Sequence, residues 1–202
     1  MALVNEYAGI IFDFGGVLVG HQSDADQAEL AKLARLPADT FSERYWSYRL
    51  DYDKGLLSRV EYWQMVAQNG NGALTPDTIE RLAEVDNKSW MHFDPPMWEW
   101  IEQLRKESKP VAMLSNMPRD LGDALKQTDR LRPFNHVTLS YELRSAKPEP
   151  AIYEHSLAGL GTDPHRTLFL DDRIENVQAA EMLGIHTIHF TDRHAVLAKL
   201  RG

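Results

Sequence analysis

The chain has 202 residues, 43% of them hydrophobic, with a formal net charge of −8 and no cysteine. This length and apolar content suit one α/β domain, or one core with a small insertion, and exclude a disordered chain. The acidic balance argues against nucleic acid or an anionic membrane as partner, because their phosphates select Lys and Arg surfaces; the absence of cysteine excludes disulfide and thiolate chemistry and fits a reducing cytoplasm.

Taken in chain order, residues Met1–Gly9 lack a basic region followed by an apolar stretch, so no secretory signal is expected. No apolar run reaches the roughly 18–20 residues of a membrane span, so no membrane-spanning segment is expected either. Gly9–Phe12 is the first of five short apolar segments bounded by turn or polar residues; the others are Val111–Leu114, Val137–Leu139, Thr167–Leu170 and His186–Phe190. Their brevity and their β-branched and aromatic content predict buried strands. From Ser23 to Met91 the pattern changes. Apolar residues recur at helical spacing there, as in Leu30, Leu33 and Ala34, in Phe41, Tyr45 and Tyr48, in Tyr62, Met65 and Val66, and in Ile79, Leu82 and Val85. Breaks at Leu36–Asp39, Lys54–Gly55 and Asn69–Gly72 divide the stretch into about four helices, a bundle inserted after the first strand. Its aromatics read mainly as bundle core. Of these, Tyr45, Tyr52 and Trp63, with Arg49, are the residues that either line a ligand site or simply pack. Further on, Pro96–Lys106, Ala151–Leu160 and Ile174–Leu183 show helical spacing, the last ending at Gly184 as a C-cap. Strand and helix alternate, which predicts a parallel sheet with helices on both faces.

Ligands in an open parallel sheet bind beyond the carboxyl ends of the strands. Three of the expected strands end in residues of catalytic type: Asp13 followed by Phe14, Gly15 and Gly16; Ser115 and Asn116; and Asp171 and Asp172. An aspartate at a strand tip before two glycines sits where a ligand can approach the backbone, although aspartates also begin ordinary turns. Adjacent carboxylates repel unless something positive lies between them, and a hard cation such as Mg²⁺ takes carboxylates together with water and phosphate oxygens. A solvated helix N-terminus explains such a pair equally well on its own; Asp13 on the same edge shifts the reading to metal. Ser115 and Asn116, ahead of Pro118, are expected at a helix start, as an anion site or an ordinary N-cap. Lys147 is either a surface lysine or the charge that neutralises a bound phosphate.

These pieces in this order resemble the haloacid dehalogenase (HAD) superfamily: Asp13-Phe14-Gly15-Gly16-Val17-Leu18, then Leu114-Ser115-Asn116, then Lys147-Pro148, then Phe169-Leu170-Asp171-Asp172-Arg173 with Asn176. The resemblance implies an α/β fold, with a Rossmann-like core of residues 1–20 and 93–202 and a small helical cap of residues 21–92. It implies a Mg²⁺-dependent phosphatase acting on a small phosphorylated substrate. Asp13 would be the nucleophile, and Ser115, Asn116 and Lys147 would bind the phosphoryl group. The metal would be held by Asp13, Asp172, the backbone carbonyl of Gly15, and Asp171 directly or at one remove, with Asn176 orienting the site. The sequence carries no signal for oligomeric state.

Gly15 departs from the family pattern, in which a second aspartate two residues after the nucleophile acts as general acid and base. The chain resembles a subgroup with this same glycine that includes a sugar-1-phosphate phosphatase. The departure leaves three expectations: a substrate with a good leaving group, such as a sugar-1-phosphate or acyl phosphate; a substitute such as His21; or a protein that chiefly binds a phosphorylated ligand. The alternative chemistry in the superfamily is 2-haloacid dehalogenation, which needs no metal. The Asp171–Asp172 pair, and the absence of arginine between Phe14 and Gln27, argue against it.

Overall fold

In a computed structural model, which describes residues 3–68 and 72–201, the chain forms one parallel sheet flanked by helices and a separate helical layer. The strands are β1 (Gly9–Phe12), β2 (Val111–Ser115), β3 (His136–Leu139), β4 (Thr167–Asp171) and β5 (His186–His189), in the order β3-β2-β1-β4-β5. Each expected strand is present, with ends within one residue of those read from the pattern. Only β1, β2 and β4 are buried along their whole length. The expectation of five buried strands is corrected at the two edges. There β3 is half-buried in its first residues, and β5 exposes His186 and His189, because an edge strand has no neighbour on one side.

The period-two alternation of a strand sends successive side chains to opposite faces. Ile10, Phe12, Val111, Met113, Leu168 and Leu170 point to one face, while Ile11, Ala112, Leu114 and Phe169 point to the other.

After β1 come α1 (Asp24–Leu33), α2 (Ala38–Asp53), α3 (Arg59–Ala67) and α4 (Pro76–Ser89), in the stretch read as a four-helix insertion. Polar residues start them. Ser23 with Asp26, and Ser58 with Glu61, form capping boxes, and Thr75 caps α4 ahead of Pro76. The expected break at Asn69–Gly72 lies outside the described residues, apart from Gly72. Leu30, Phe41, Tyr45, Tyr62, Trp63, Val66, Ile79 and Leu82 bury one another in a core distinct from the two sheet faces.

The remaining helices are α5 (Pro95–Lys106), α6 (Arg119–Lys126), α7 (Ser140–Leu143), α8 (Pro150–Leu160), α9 (Ile174–Met182) and α10 (Arg193–Arg201). Met97, Trp100 and Ile101 of α5, with Leu197 and Leu200 of α10, cover the first sheet face; Ile152 and Tyr153 of α8, with Ala179 and Ala180 of α9, cover the second. Gly184 follows α9 with φ of 82°, the left-handed conformation expected of it. Among the described residues no helix is long and apolar enough to cross a membrane.

The strand order puts β1 between β2 and β4. The chain steps from β1 to one side for β2 and β3, then returns across it to β4 and β5. A crevice opens at such a switch point, beyond the carboxyl ends of the strands.

Candidate active site

Register brings the polar strand ends together. Phe12 pairs with Met113 on one side and Leu170 on the other. Asp13 therefore follows β1 directly between the two neighbouring strand ends, and its backbone N–H donates to the Leu170 carbonyl at 2.9 Å. Asp13, Ser115, Lys147, Asp171 and Asn176 are all buried. The Lys147 ammonium bridges two carboxylates, with Nζ 2.6 Å from Asp13 Oδ1 and 2.7 Å from Asp171 Oδ2. It also donates to the Leu114 carbonyl at 3.3 Å. The surface-lysine reading is thereby excluded.

Asp171 and Asp172 are adjacent in sequence but differ in role. Asp171 is completely buried and accepts from Lys147, from the Arg173 backbone N–H at 2.8 Å, and from Asn176 Nδ2 at 3.0 and 3.1 Å. Asp172 faces the cleft, its Oδ2 lying 3.3 Å from Nε2 of the largely exposed His21. Oxygen atoms of Asp13, Asp171 and Asp172 all lie within 4.8 Å of one another. Gly16 makes this approach possible. Its φ is 72°, and a Cβ there would stand 2.6 Å from the Asp172 carboxylate.

Three carboxylates facing one ammonium leave two negative charges, the charge of one divalent cation. The all-oxygen donor set is that of a hard ion. Burial, reinforced by Asp171 and Asp172 and opposed by Lys147, pushes the Asp13 carboxyl well above the usual carboxylate range. Burial and Asp171 raise Asp172. Burial opposes the charge on Lys147, but Asp13 and Asp171 outweigh it and raise its pKa.

Ser115 and Asn116 do not begin a helix as expected. Ser115 is the last residue of β2, and α6 starts only at Arg119, behind an extended Pro118 with no side-chain cap. The residues between them are held by another pairing. The Asn116 side chain donates to the Lys147 carbonyl at 2.9 Å and accepts from the Lys147 N–H at 2.8 Å, so its amide braces the two loops. The Ser115 hydroxyl makes only a long contact, 3.4 Å, to the Asn116 carbonyl, and Ser115 lines the cleft.

The cleft holds about 600 Å³ and has the sheet edge as floor and α2 as wall. Trp46, Arg49, Leu50 and Asp53 of α2 line it, with Trp90 from the end of α4. Of the four residues singled out in sequence for a ligand site, only Arg49 lines it. Tyr45, Tyr52 and Trp63 are packed in the helical core. The missed residues have a legible signal, since positions 46, 49, 50 and 53 share one face of a helix. Arg49 is buried and already paired, donating to Asp53 Oδ1 at 2.7 Å and to Asp86 Oδ2 at 3.0 Å. Tyr45 donates to Asp86 at 2.6 Å, and the Trp90 indole N–H donates to Tyr45 Oη at 3.1 Å. Burial pushes Asp53 up to about 6 against the pull of Arg49.

A family model described as haloacid dehalogenase-like hydrolase matches residues 7–184, and the chain belongs to that family. A D-ribitol-5-phosphate phosphatase of Bacteroides thetaiotaomicron is 29% identical over 88% of this chain and 89% of its own length. A sesquiterpene phosphatase of Aspergillus oryzae is 26% identical over 96% of this chain and 95% of its own. Among solved structures, a HAD family enzyme of B. thetaiotaomicron in a magnesium complex superposes with a TM-score of 0.78, at 23% identity, over 96% of this chain and 99% of the other.

Proposed function

We propose that this hydrolase is a Mg²⁺-dependent phosphatase of a small phosphorylated metabolite, a sugar or polyol phosphate, with Asp13 as nucleophile. The observation that carries this reading is the surplus of two negative charges around Lys147 at the open end of the sheet. Asp13, Asp172 and the Gly15 carbonyl would hold Mg²⁺, which when bound neutralises phosphate oxygens and supplies Lewis acidity there. Asp171, buried and engaged by Lys147 and Asn176, serves to fix the lysine. In the reaction an Asp13 oxygen attacks phosphorus and forms an aspartyl-phosphate, which water then hydrolyses. Lys147 holds Asp13 and the phosphoryl group together, and the Ser115 hydroxyl donates to a phosphoryl oxygen. Asn116 acts on Lys147 through its two bonds to that residue's backbone. Residues 21–92 act as a cap over a core of 1–20 and 93–202, a division supported by the separate apolar core of α1 to α4. The lack of cysteine supports a cytoplasmic setting.

Two arginines, Arg49 and Arg173, line the cleft, but Arg49 is paired with Asp53 and Asp86, and Arg173 with Glu175. Arg49, buried and doubly paired, is not free to bind the carboxylate of a 2-haloacid, and with the acidic cluster this argues against halide release. The test is a screen of phosphorylated sugars and polyols with Mg²⁺. Phosphate release should vanish with EDTA, return with Mg²⁺, and fall to background in Asp13→Asn. Turnover that survives either treatment would overturn the reading.

A further inference from the structure

The family's usual general acid has no counterpart at Gly15, where even a methyl group would need the neighbouring ring to give by a few tenths of an ångström. A Cβ at Gly15 would lie 3.2 Å from the Trp90 ring. We propose that Asp53, reaching in from the cap helix α2, is the catalytic residue that protonates the leaving-group oxygen and then activates water. This rests on the phosphatase reading above.

The cleft contains four carboxylates: Asp13, Asp53, Asp172 and Glu175. Asp13 and Asp172 belong to the charged floor, and the half-exposed Glu175 is paired with the exposed Arg173. Asp53 is the buried one left over. Its position is set against the loops that carry the phosphate-binding residues. The Ser140 hydroxyl donates to the Asp53 carbonyl at 2.5 Å and accepts from the Met117 N–H at 3.0 Å, two residues beyond Ser115. The next residue, Lys54, holds Glu149 at 2.6 Å, two residues beyond Lys147. The wall that carries Asp53 is therefore pinned to the floor at both loops.

The carboxyl is also kept in a state that suits proton transfer. One guanidinium, Arg49, serves two buried carboxylates, Asp53 and Asp86, so the group retains one negative charge that a proton removes. Arg49 donates to Oδ1 of Asp53, and among the described residues nothing donates to its Oδ2. Charged groups around Asp53 are Arg49 on its own helix, Asp86 on α4 and Arg173 beyond β4, with Asp13, Lys147, Asp172, His21 and Glu175 in the same cleft. Burial places its titration at about 6, near the range in which an acid–base catalyst works at neutral pH.

The step balances. An Asp13 oxygen bonds to phosphorus as the bond from phosphorus to the ester oxygen breaks. The electron pair of that bond goes to the leaving oxygen, which takes the proton from Asp53, so alcohol departs and Asp53 becomes a carboxylate. That carboxylate then takes a proton from water as the water oxygen attacks phosphorus. The bond to Asp13 breaks, phosphate departs, and Asp53 is protonated again.

A leaving group that needs no proton separates this role from a structural one. With Mg²⁺ present, Asp53→Asn should lower kcat/KM on an alkyl ester, glycerol 3-phosphate, by about 10²-fold or more, and on p-nitrophenyl phosphate by no more than about fivefold. Each preparation supplies its own ratio, so loss of folded protein cancels; a parallel fall on both esters, or no fall on either, overturns the proposal. A second measurement uses the unsubstituted protein alone. Its rate across aryl phosphates of graded leaving-group pKa should vary little, and a steep dependence overturns the assignment. No phosphate released from either ester by the unsubstituted protein would overturn the phosphatase reading, and this inference with it.

Discussion

At Gly16 one missing methyl group decides whether the charged centre assembles. The residue is left-handed, with φ of 72°, and the space beside its Cα is filled by the Asp172 carboxylate. An L-residue pays about 1–2 kcal/mol for that backbone region before any clash is counted. Gly16→Ala is therefore expected to destabilise the protein by at least about 1–2 kcal/mol in denaturant unfolding. It should also raise the Mg²⁺ concentration needed for half-maximal activity, because Asp172 must move away. Gly15→Ala is the control, since its methyl meets only the edge of the Trp90 ring at 3.2 Å. Equal losses at the two positions would contradict this account. Asp13, Ser115, Asp171 and Asp172 were legible in the sequence for a related reason. The first three directly follow a short apolar run, with Asp172 next to Asp171, and strand ends in a parallel sheet converge. Asn116 was legible as part of the site but not in its role, because its partner, the Lys147 backbone, lies 31 residues away.

Helix α2 shows where sequence periodicity stops informing. Its apolar contrast is weak because two of its faces are covered, one by the bundle core and one by the cleft. Tyr45 and Trp46 are neighbours of similar chemistry, yet one is fully buried and the other is 49% exposed at the cleft rim; no residue type separates them. The four helices α1 to α4 were legible, since apolar residues recur at helical spacing and the breaks at Leu36–Asp39 and Lys54–Gly55 bound the longest. The contacts that dock α2 and α3 on the core were not, because they join distant charges. Asp120 on α6 receives Arg59 through Nε at 2.8 Å and Nη2 at 2.7 Å, and the Tyr52 hydroxyl as well. Burial raises the Asp120 pKa, but Arg59 and Tyr52 outweigh it and hold the carboxyl below its ordinary value. A depressed folded-state pKa stabilises above the unfolded value, about 3.9, and that stability is lost as pH falls through the folded pKa. Arg59 is one-third exposed, so screening keeps the contribution near 1 kcal/mol. Asp120→Ala should therefore lower Tm at pH 7, and the gap from the unsubstituted protein should close as the pH is taken below about 4. A gap that persists in acid would show that the loss was packing rather than charge.

Across the whole molecule, the sheet edge opposes its own stability. Folding draws Asp13, Asp171 and Asp172 from the ends of two strands into one cluster with a single lysine, in a chain already carrying a net charge of −8. A raised carboxyl pKa in the folded state means that the ionised form is disfavoured there. Asp172, raised by burial and by Asp171, therefore contributes stability only at low pH, and loses it as pH rises through its folded pKa. At neutral pH without metal its charge is a liability, and on the proposed reading a divalent cation would take it as a ligand. Two consequences follow for Asp172→Asn at pH 7. In EDTA the variant should melt no lower than the unsubstituted protein, because a repulsion has been removed and the partly exposed amide remains hydrated. With Mg²⁺ the unsubstituted protein should gain stability as the ion binds the folded state, about 2.7 kcal/mol at a concentration one hundred times Kd, while the variant gains little. Calorimetry with and without Mg²⁺ reads both effects without any substrate. A variant that melts well below the unsubstituted protein in EDTA would show that Asp172 supports the fold by itself. A variant with an undiminished Mg²⁺ shift would place the ion elsewhere.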